Sequence, residues 1–482
     1  MLFLCLAFVL NYLLFTNGLS FHSFGNEFEY IAREMNESLD TFDSSAVKTS
    51  WIRQPLNHFD SNDKRTWKMR YFQRHDMWKP KKPIYLFLGG EGPASPVFLK
   101  TGIMYDLAKE TNGAMFASEH RYYGKSKPFD NFTTENLKFL SARQALADSA
   151  RLLKLVKSMP KFRSSKVVVV GGSYSGNLAA WMKLLYPELV DAAIASSAPV
   201  LAKKDFYEYL ETVSDDFEQY GTADCWDKIA EMFSRYEELF QSDTGIETLK
   251  MEENICTNCD MSKSENKELF FMEKASEFMY RAQYGNPNVI KDYCESNFTS
   301  NFRKVREPNL IFNEKNECYY YDYDEMIVSI RRIDWLTAWI YQTCTEFSYF
   351  QTGSSDNQPF TKNIPIEFYY RMCTKLFGAE FDEDRVERGV KDSNALYGGL
   401  KPNVTHVVFV NGGMDPWSKL SVLEDISYDA PAKMISQASH CRDLFSDRES
   451  DPEELKDARA YIRYLIKNWI GEGDYKNNTI WL

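Results

Sequence analysis

Three short stretches carry the residue types that acyl transfer requires. Residues 167–181 read VVVVGGSYSGNLAAW: an apolar run ends at Gly171-Gly172, Ser173 follows, and a helical pattern opens at about Ser175. A strand that turns this sharply into a helix forces its nucleophile into strained backbone angles and points the hydroxyl off the sheet. The window 171–175 departs from GxSxG in its fifth position, where Ser175 supplies small size in place of glycine. A glycine-rich strand–helix turn without a nucleophile has the same local pattern, so the serine needs partners.

A bare serine is a poor nucleophile until a histidine takes its proton and a carboxylate holds that histidine. On a strand–turn–helix elbow the order along the chain is Ser, acid, His. Asp415 follows the apolar run of VVFVNGGMDPW, and His440 stands in KMISQASHCRDL near the C-terminus. The chain has six histidines, and the other five, at 22, 58, 75, 120 and 406, all precede Asp415 and break the order. The expected triad is therefore Ser173, Asp415 and His440. The oxyanion needs backbone donors. The amide of Tyr174 is one, and Gly90 or Glu91 in the Gly89–Pro93 turn is the expected source of the second.

These residues need a sheet whose strand ends converge. Apolar runs bounded by turn residues occur at 82–90, 113–121, 166–172, 191–199 and 406–413. Such runs fit strands buried on both faces of a parallel sheet. Residues 136–159 place Leu137, Ala142, Leu146, Ala150, Leu153 and Val156 on one helical face, and Pro160 stops that helix. Strands alternating with helices predict an α/β architecture with an open, mostly parallel sheet. Between 201 and 397 the texture changes to helical runs rich in Glu, Lys, Tyr and Phe. With no linker at either edge and strands resuming at 406, this predicts a mainly helical insertion. The expected organisation is a signal peptide over 1–20, an α/β domain over 45–200 and 398–482, and the insertion over 201–397.

Composition narrows the function classes. The 482 residues include 57 Lys+Arg against 69 Asp+Glu, a net charge of −12, which disfavours nucleic acid as a partner. The start, MLFLCLAFVLNYLLF, is apolar and is followed by small residues. Fifteen helical residues reach only about 22 Å, short of a ~30 Å hydrocarbon core. A cleaved signal with a cut near Gly18 or Ser20, and no membrane span after cleavage, is the expectation. Sequons at Asn36, Asn131, Asn297, Asn403 and Asn477 are glycosylation candidates. Eight cysteines remain once Cys5 leaves, and an even number in a secreted chain predicts disulfides. Cys256-Thr-Asn-Cys259 has no second CxxC or nearby His to complete a metal site, so bridging is expected and no metal or cofactor is.

Several ordered motifs then converge. GGSYSG at 171–176, EHRYYGKSKPF at 119–129, ASSAPV at 195–200, NGGMDPW at 411–417 and SHCRDL at 439–444 resemble the serine peptidases that include prolylcarboxypeptidase, dipeptidyl peptidase II and thymus-specific serine protease. QPLNHFD at 54–60 and GGEGP at 89–93 extend the resemblance over about 50–475. It implies an α/β-hydrolase fold with a helical, disulfide-containing insertion that caps the site, and it places the triad on the same three residues. It also implies a secreted or lysosomal exopeptidase acting on peptides, often beside proline. A Cys344–Cys373 pair follows from it too, as does a specificity pocket containing Met414, Trp417 and Asn177; a homodimer stays open. Cys441, Phe445 and Asn177 depart from the prolylcarboxypeptidase pattern, and Ser-His-Cys at 439–441 is closer to the thymus-specific branch. That puts strict proline selectivity in question and leaves the triad intact. An esterase on the same fold and a non-catalytic binding protein are the rival readings.

Overall fold

A computed structural model describes residues 46–298, 312–313 and 318–473. The expected signal peptide and the sequons Asn36 and Asn477 lie outside the described residues. The chain forms two compact units. One contains 46–204, Ala338–Tyr349 and 383–473; the other contains Asp205–Thr337 and Phe350–Asp382. The 201–397 stretch read as an insertion thus encloses the second unit, while 338–349 and 383–397 cluster with the first.

The first unit is built on eight strands: β1 (Lys48–Pro55), β2 (Thr66–Arg74), β3 (Ile84–Phe87), β4 (Ala114–Ser118), β5 (Val167–Gly172), β6 (Ala192–Ser196), β7 (Val407–Gly412) and β8 (Ala432–Ile435). Their order across the sheet is β1-β2-β4-β3-β5-β6-β7-β8. β1 and β2 form an antiparallel edge, β2 meets β4 antiparallel, and the ladder from β4 through β8 is parallel. The five predicted strands are its centre. β1 and β2 interleave polar and apolar residues, as strands with one solvated face do, and β8 is a short, half-exposed edge strand; none has the continuous apolar run that marked the others.

Both sheet faces are covered. Tyr85, Phe87, Val168, Val170, Ile194, Val408 and Val410 pack with Leu107 of the helix Ile103–Thr111 and with Ile462 and Ile466 of the helix Glu453–Trp469. Their strand neighbours Ile84, Leu86, Val167, Val169, Val407 and Phe409 are equally buried. The predicted helix at 136–159 is divided. A short turn Thr134–Leu137 precedes the helix Ala142–Ser158, because Ser141 takes extended angles and its hydroxyl accepts from Gln144 N at 3.2 Å. Serine favours such N-caps over helix interiors.

The second unit is helical and oxidised. Its helices include Glu208–Tyr220, Cys225–Leu239, Ser264–Tyr284 and Ile366–Phe377. Disulfides join Cys225 to Cys294 and Cys256 to Cys318; Cys373 of this unit and Cys344 of the first unit are also disulfide-bonded. Cys256 and Cys259 do not bridge each other; Cys259 is a buried free thiol donating to Tyr321 O at 2.8 Å. Of the three described sequon asparagines, Asn131, Asn297 and Asn403, each is exposed.

One buried ion pair ties the edge strands to the sheet centre. Arg121 donates from Nε and Nη2 to Asp148 at 2.7 and 2.9 Å and from Nη1 to the carbonyls of Leu56 and Phe139. His58 Nε2 meets the same carboxylate at 2.6 Å. Removing one partner of such a pair leaves an uncompensated charge in the interior and costs about 3–5 kcal/mol. Asp148→Ala should lower the melting temperature by several degrees in scanning calorimetry; an unchanged value would show that water reaches the guanidinium.

Candidate active site

Ser173 stands between β5 and the helix Tyr174–Leu185, with φ 56° and ψ −134°. Residues with a β-carbon rarely enter this region, and holding one there costs of order 1–3 kcal/mol. The surroundings leave no alternative. Ser173 N donates to Ser196 O at 2.9 Å, and Ser173 O accepts from Gly176 N at 2.8 Å. A β-carbon at Gly171 would lie 2.0 Å from the carbonyl oxygen of Ser175. Strand and helix backbones therefore touch, which only glycine allows. Ser175 does more than stay small. Its hydroxyl donates to Gly172 O at 2.8 Å and accepts from Gly172 N at 2.9 Å, clasping the turn from inside.

Asp415 follows the end of β7 and caps the turn Pro416–Leu420, Oδ1 accepting from Trp417 N at 3.0 Å. Its other oxygen faces His440 Nδ1 at 2.8 Å, and both side chains are 0% exposed. A carboxylate can only accept, so Nδ1 of the neutral ring carries the proton and Nε2 is the basic nitrogen. The next residue carries the histidine loop onto the turn that holds Ser173. Cys441 takes φ 58° and donates its amide to Ser197 Oγ at 2.9 Å. A β-carbon at Gly172 would lie 2.9 Å from Cys441 Sγ and 2.5 Å from Leu444 Cδ1. The neighbours of His440 and Ser173 are thus in contact. Cys441 itself is a buried free thiol whose pKa burial pushes up, so it is not a ready nucleophile.

The oxyanion candidates lie at the carboxyl ends of central strands. Phe87 at the end of β3 pairs with Val170 of β5, and Gly90 follows three residues beyond. Glu91 is buried beside it. Tyr174 is the first residue of its helix, so its N–H has no acceptor within the helix, and the helix dipole favours negative charge there. Of the specificity candidates, Met414 and Asn177 are wholly buried and Trp417 nearly so. Asn177 Nδ2 donates to Pro199 O and to Tyr349 Oη, each at 3.1 Å, and the Tyr349 ring stands edge-on to Trp417 at 5.4 Å.

Sequence reasoning missed several residues here. Tyr349 and its neighbour Ser348 take φ 64° and 63°, strain that no residue type announces. Asp443, directly after the histidine turn, accepts from the Ser196 hydroxyl, and burial pushes its carboxyl up to about 6. Glu346 is likewise buried, and its carboxylate accepts from Ala142 N at the start of the helix Ala142–Ser158. The spacing of Ser141 and Gln144 marked that helix start only in retrospect, and the partner two hundred residues away had no local signal.

Two expectations follow from this geometry. Ser175→Ala strips Gly172 N–H of its acceptor, at a cost of about 1–3 kcal/mol for an unsatisfied buried group. The variant should melt lower than the parent yet keep its turnover per intact site. An unchanged melting temperature would mean the clasp is dispensable. Burial raises the Glu346 carboxyl from its ordinary 4.5 to about 7 despite the lowering effect of the Ala142 amide. A carboxyl raised on folding binds its proton more tightly in the native state, so its contribution is fully present below pH 4.5 and is lost as pH rises through about 7. Glu346→Gln should therefore gain in melting temperature relative to the parent as pH rises across that window; a pH-independent difference would refute the assignment.

Residues 54–462 match the family model described as Serine carboxypeptidase S28. The thymus-specific serine protease of Mus musculus is 30% identical over 448 residues, covering 88% of this chain and 87% of that protein. The Homo sapiens thymus-specific serine protease is 30% identical over 467 residues, covering 92% and 90%. The lysosomal Pro-X carboxypeptidase of Bos taurus is 30% identical over 447 residues, covering 88% of each. With the elbow, the parallel sheet and the strand-end order Ser, Asp, His already in place, these matches mean that the chain belongs to the serine carboxypeptidase S28 family and is a serine-type peptidase with an α/β-hydrolase fold.

Proposed function

We propose that the chain hydrolyses peptide bonds through an acyl-enzyme on Ser173, with His440 as base and then acid and Asp415 as its orienting carboxylate. The observation that carries this is the 2.8 Å contact between the buried side chains of Asp415 and His440, on a loop packed against the turn that holds Ser173. Ser173 Oγ attacks the carbonyl carbon as His440 Nε2 takes its proton. The tetrahedral oxygen is received by the amide of Tyr174 and one from Gly90 or Glu91. His440 returns the proton to the departing amine, and water repeats the sequence to release the acid. Only neutral imidazole accepts the first proton, so turnover falls on the acid side.

Substrate choice is proposed as exopeptidase action with proline or a small residue on the acyl side. The relative from Bos taurus is named as a Pro-X carboxypeptidase, and Trp417 and Tyr349 here offer flat aromatic surfaces suited to a pyrrolidine ring. Asn177 acts as the strut that holds Tyr349, since its amide nitrogen is already engaged by Pro199 and Tyr349. Disulfides form in oxidising compartments, and with relatives named lysosomal this supports a secretory-pathway enzyme, secreted or lysosomal, cleaved from its signal peptide. No helix among the described residues is long and apolar enough to cross a membrane.

Labelling with a fluorophosphonate followed by peptide mapping should place the adduct on Ser173, and Ser173→Ala should lose both label and turnover by about 10⁴–10⁶. A peptide library read by mass spectrometry should show single residues or dipeptides released beside proline or alanine. Internal cleavage without such a preference would refute the exopeptidase reading, and an adduct elsewhere would refute the triad.

A further inference from the structure

Tyr174 presents a side chain as unusual in its setting as its amide. The ring is packed between Trp339 and Phe347, at centroid distances of 5.5 and 5.3 Å. Yet its hydroxyl, buried with the rest of the residue, is held from two sides. His120 Nε2 lies 3.0 Å from it, and Gln342 Nε2 donates to it at 2.8 Å. His120 Nδ1 lies 2.7 Å from Arg121 O, and Gln342 Oε1 accepts from Tyr123 OH at 2.7 Å.

Valence sets the direction of every bond in this chain. The Arg121 carbonyl can only accept, so His120 Nδ1 bears the proton and Nε2 of the neutral ring accepts. Tyr174 O–H must then donate to His120, which leaves the phenol oxygen to accept from the Gln342 amide nitrogen. The Gln342 oxygen is thereby turned toward Tyr123, which donates. Burial keeps His120 neutral by lowering it to about 4 and raises both tyrosines well above their ordinary value, so each group keeps the protonation the chain requires. Phenylalanine would fill the same aromatic cage without a polar group to satisfy. A hydroxyl met by one donor and one acceptor in a dry interior instead selects a single position.

That position matters because the backbone amide of the same residue directly follows the nucleophile. Tyrosine has two side-chain torsions, so anchoring its ring and its oxygen also anchors its Cα and the N–H beside it. We propose that His120 and Gln342 are positioning residues of acyl transfer, clamping the Tyr174 hydroxyl so that the Tyr174 amide is held where the tetrahedral oxygen forms. The inference rests on the serine-hydrolase reading above and extends it to two buried residues outside the triad.

An oxyanion donor acts in the transition state and not in the Michaelis complex. Loosening it should therefore lower kcat and leave KM alone, whereas a defect in folding lowers the fraction of active sites. The full-length protein is titrated with a fluorophosphonate to count active sites, and hydrolysis of the library's best-cleaved peptide is measured per titrated site. Tyr174→Phe and Gln342→Met should each reduce kcat by roughly 10- to 100-fold with KM within about twofold, below the ~10²–10³ cost of deleting an oxyanion donor. Because both act through one hydroxyl, the double variant should lose no more than Tyr174→Phe alone. Should Gln342→Met not fold, Tyr174→Phe, which removes a single oxygen, decides by itself. Unchanged kcat per titrated site, a rise in KM alone, or multiplicative losses in the double variant would each overturn the clamp. A parent protein that takes no label on Ser173 would instead overturn the serine-hydrolase reading, and the clamp with it.

Discussion

The site depends on one steric constraint, the contact of the chain with itself at Gly171 and Gly172. One glycine lets the carbonyl of Ser175 sit where a β-carbon would be, and the other admits Cys441 and Leu444 to the same turn. A β-carbon at Gly171 would press the helix backbone away from β5, and one at Gly172 would force the Leu444 and Cys441 side chains to shift. The strain at Ser173 is a consequence. With β5 paired to β3 and β6 on both sides and the helix held close by the Ser175 clasp, the connecting residue has only the positive-φ conformation left to it. Close packing transmits such constraints because the interior has no slack in which to relax them.

Around this contact a run of buried polar residues is paired across elements. Glu119, His120 and Arg121 follow β4 in succession, and all three are buried. Glu119 pairs with Arg70 and accepts from Ala94 N and Ser126 Oγ, which ties β2 and the loop after β3 to β4. Arg121 holds Asp148 and the loop carbonyls of Leu56 and Phe139. Between them His120 turns toward Tyr174. Buried charges add little net stability, because desolvation offsets most of their attraction. They do penalise every arrangement that leaves one unpaired, and so they specify the loops that surround the strand ends.

Burial also biases the protonation of the titratable groups around the elbow. Glu346 and Asp443 are raised by burial, each against a nearby hydrogen-bond donor that works the other way. His120 is lowered by burial too. Removing water from these groups favours their neutral forms whatever their sign.

Residue type and spacing alone determined the parts of this protein that are local or repeat a period. Five central strands, the elbow around Ser173, and the order Ser173, Asp415, His440 were readable because continuous apolar runs, glycine pairs and a scarcity of histidines are properties of the linear chain. The strands β1, β2 and β8 were not, since half-exposed strands mix polar with apolar residues and lose that signature. Nor was the division of 136–159, where one serine cap outweighed a continuous apolar stripe. Tertiary structure alone decided which distant groups meet: Tyr349 with Asn177 and Trp417, Gln342 and His120 with Tyr174, Glu346 with the start of the helix Ala142–Ser158. His120 shows the difference most plainly. Along the chain it stood in the wrong order for a catalytic base and carried no other signal. In the fold, the parallel register brings the end of β4 alongside the end of β3, and that of β3 alongside the end of β5, so its ring is set beside Tyr174. Such pairings come from sheet register and side-chain packing over long sequence separations, and a linear pattern does not encode them.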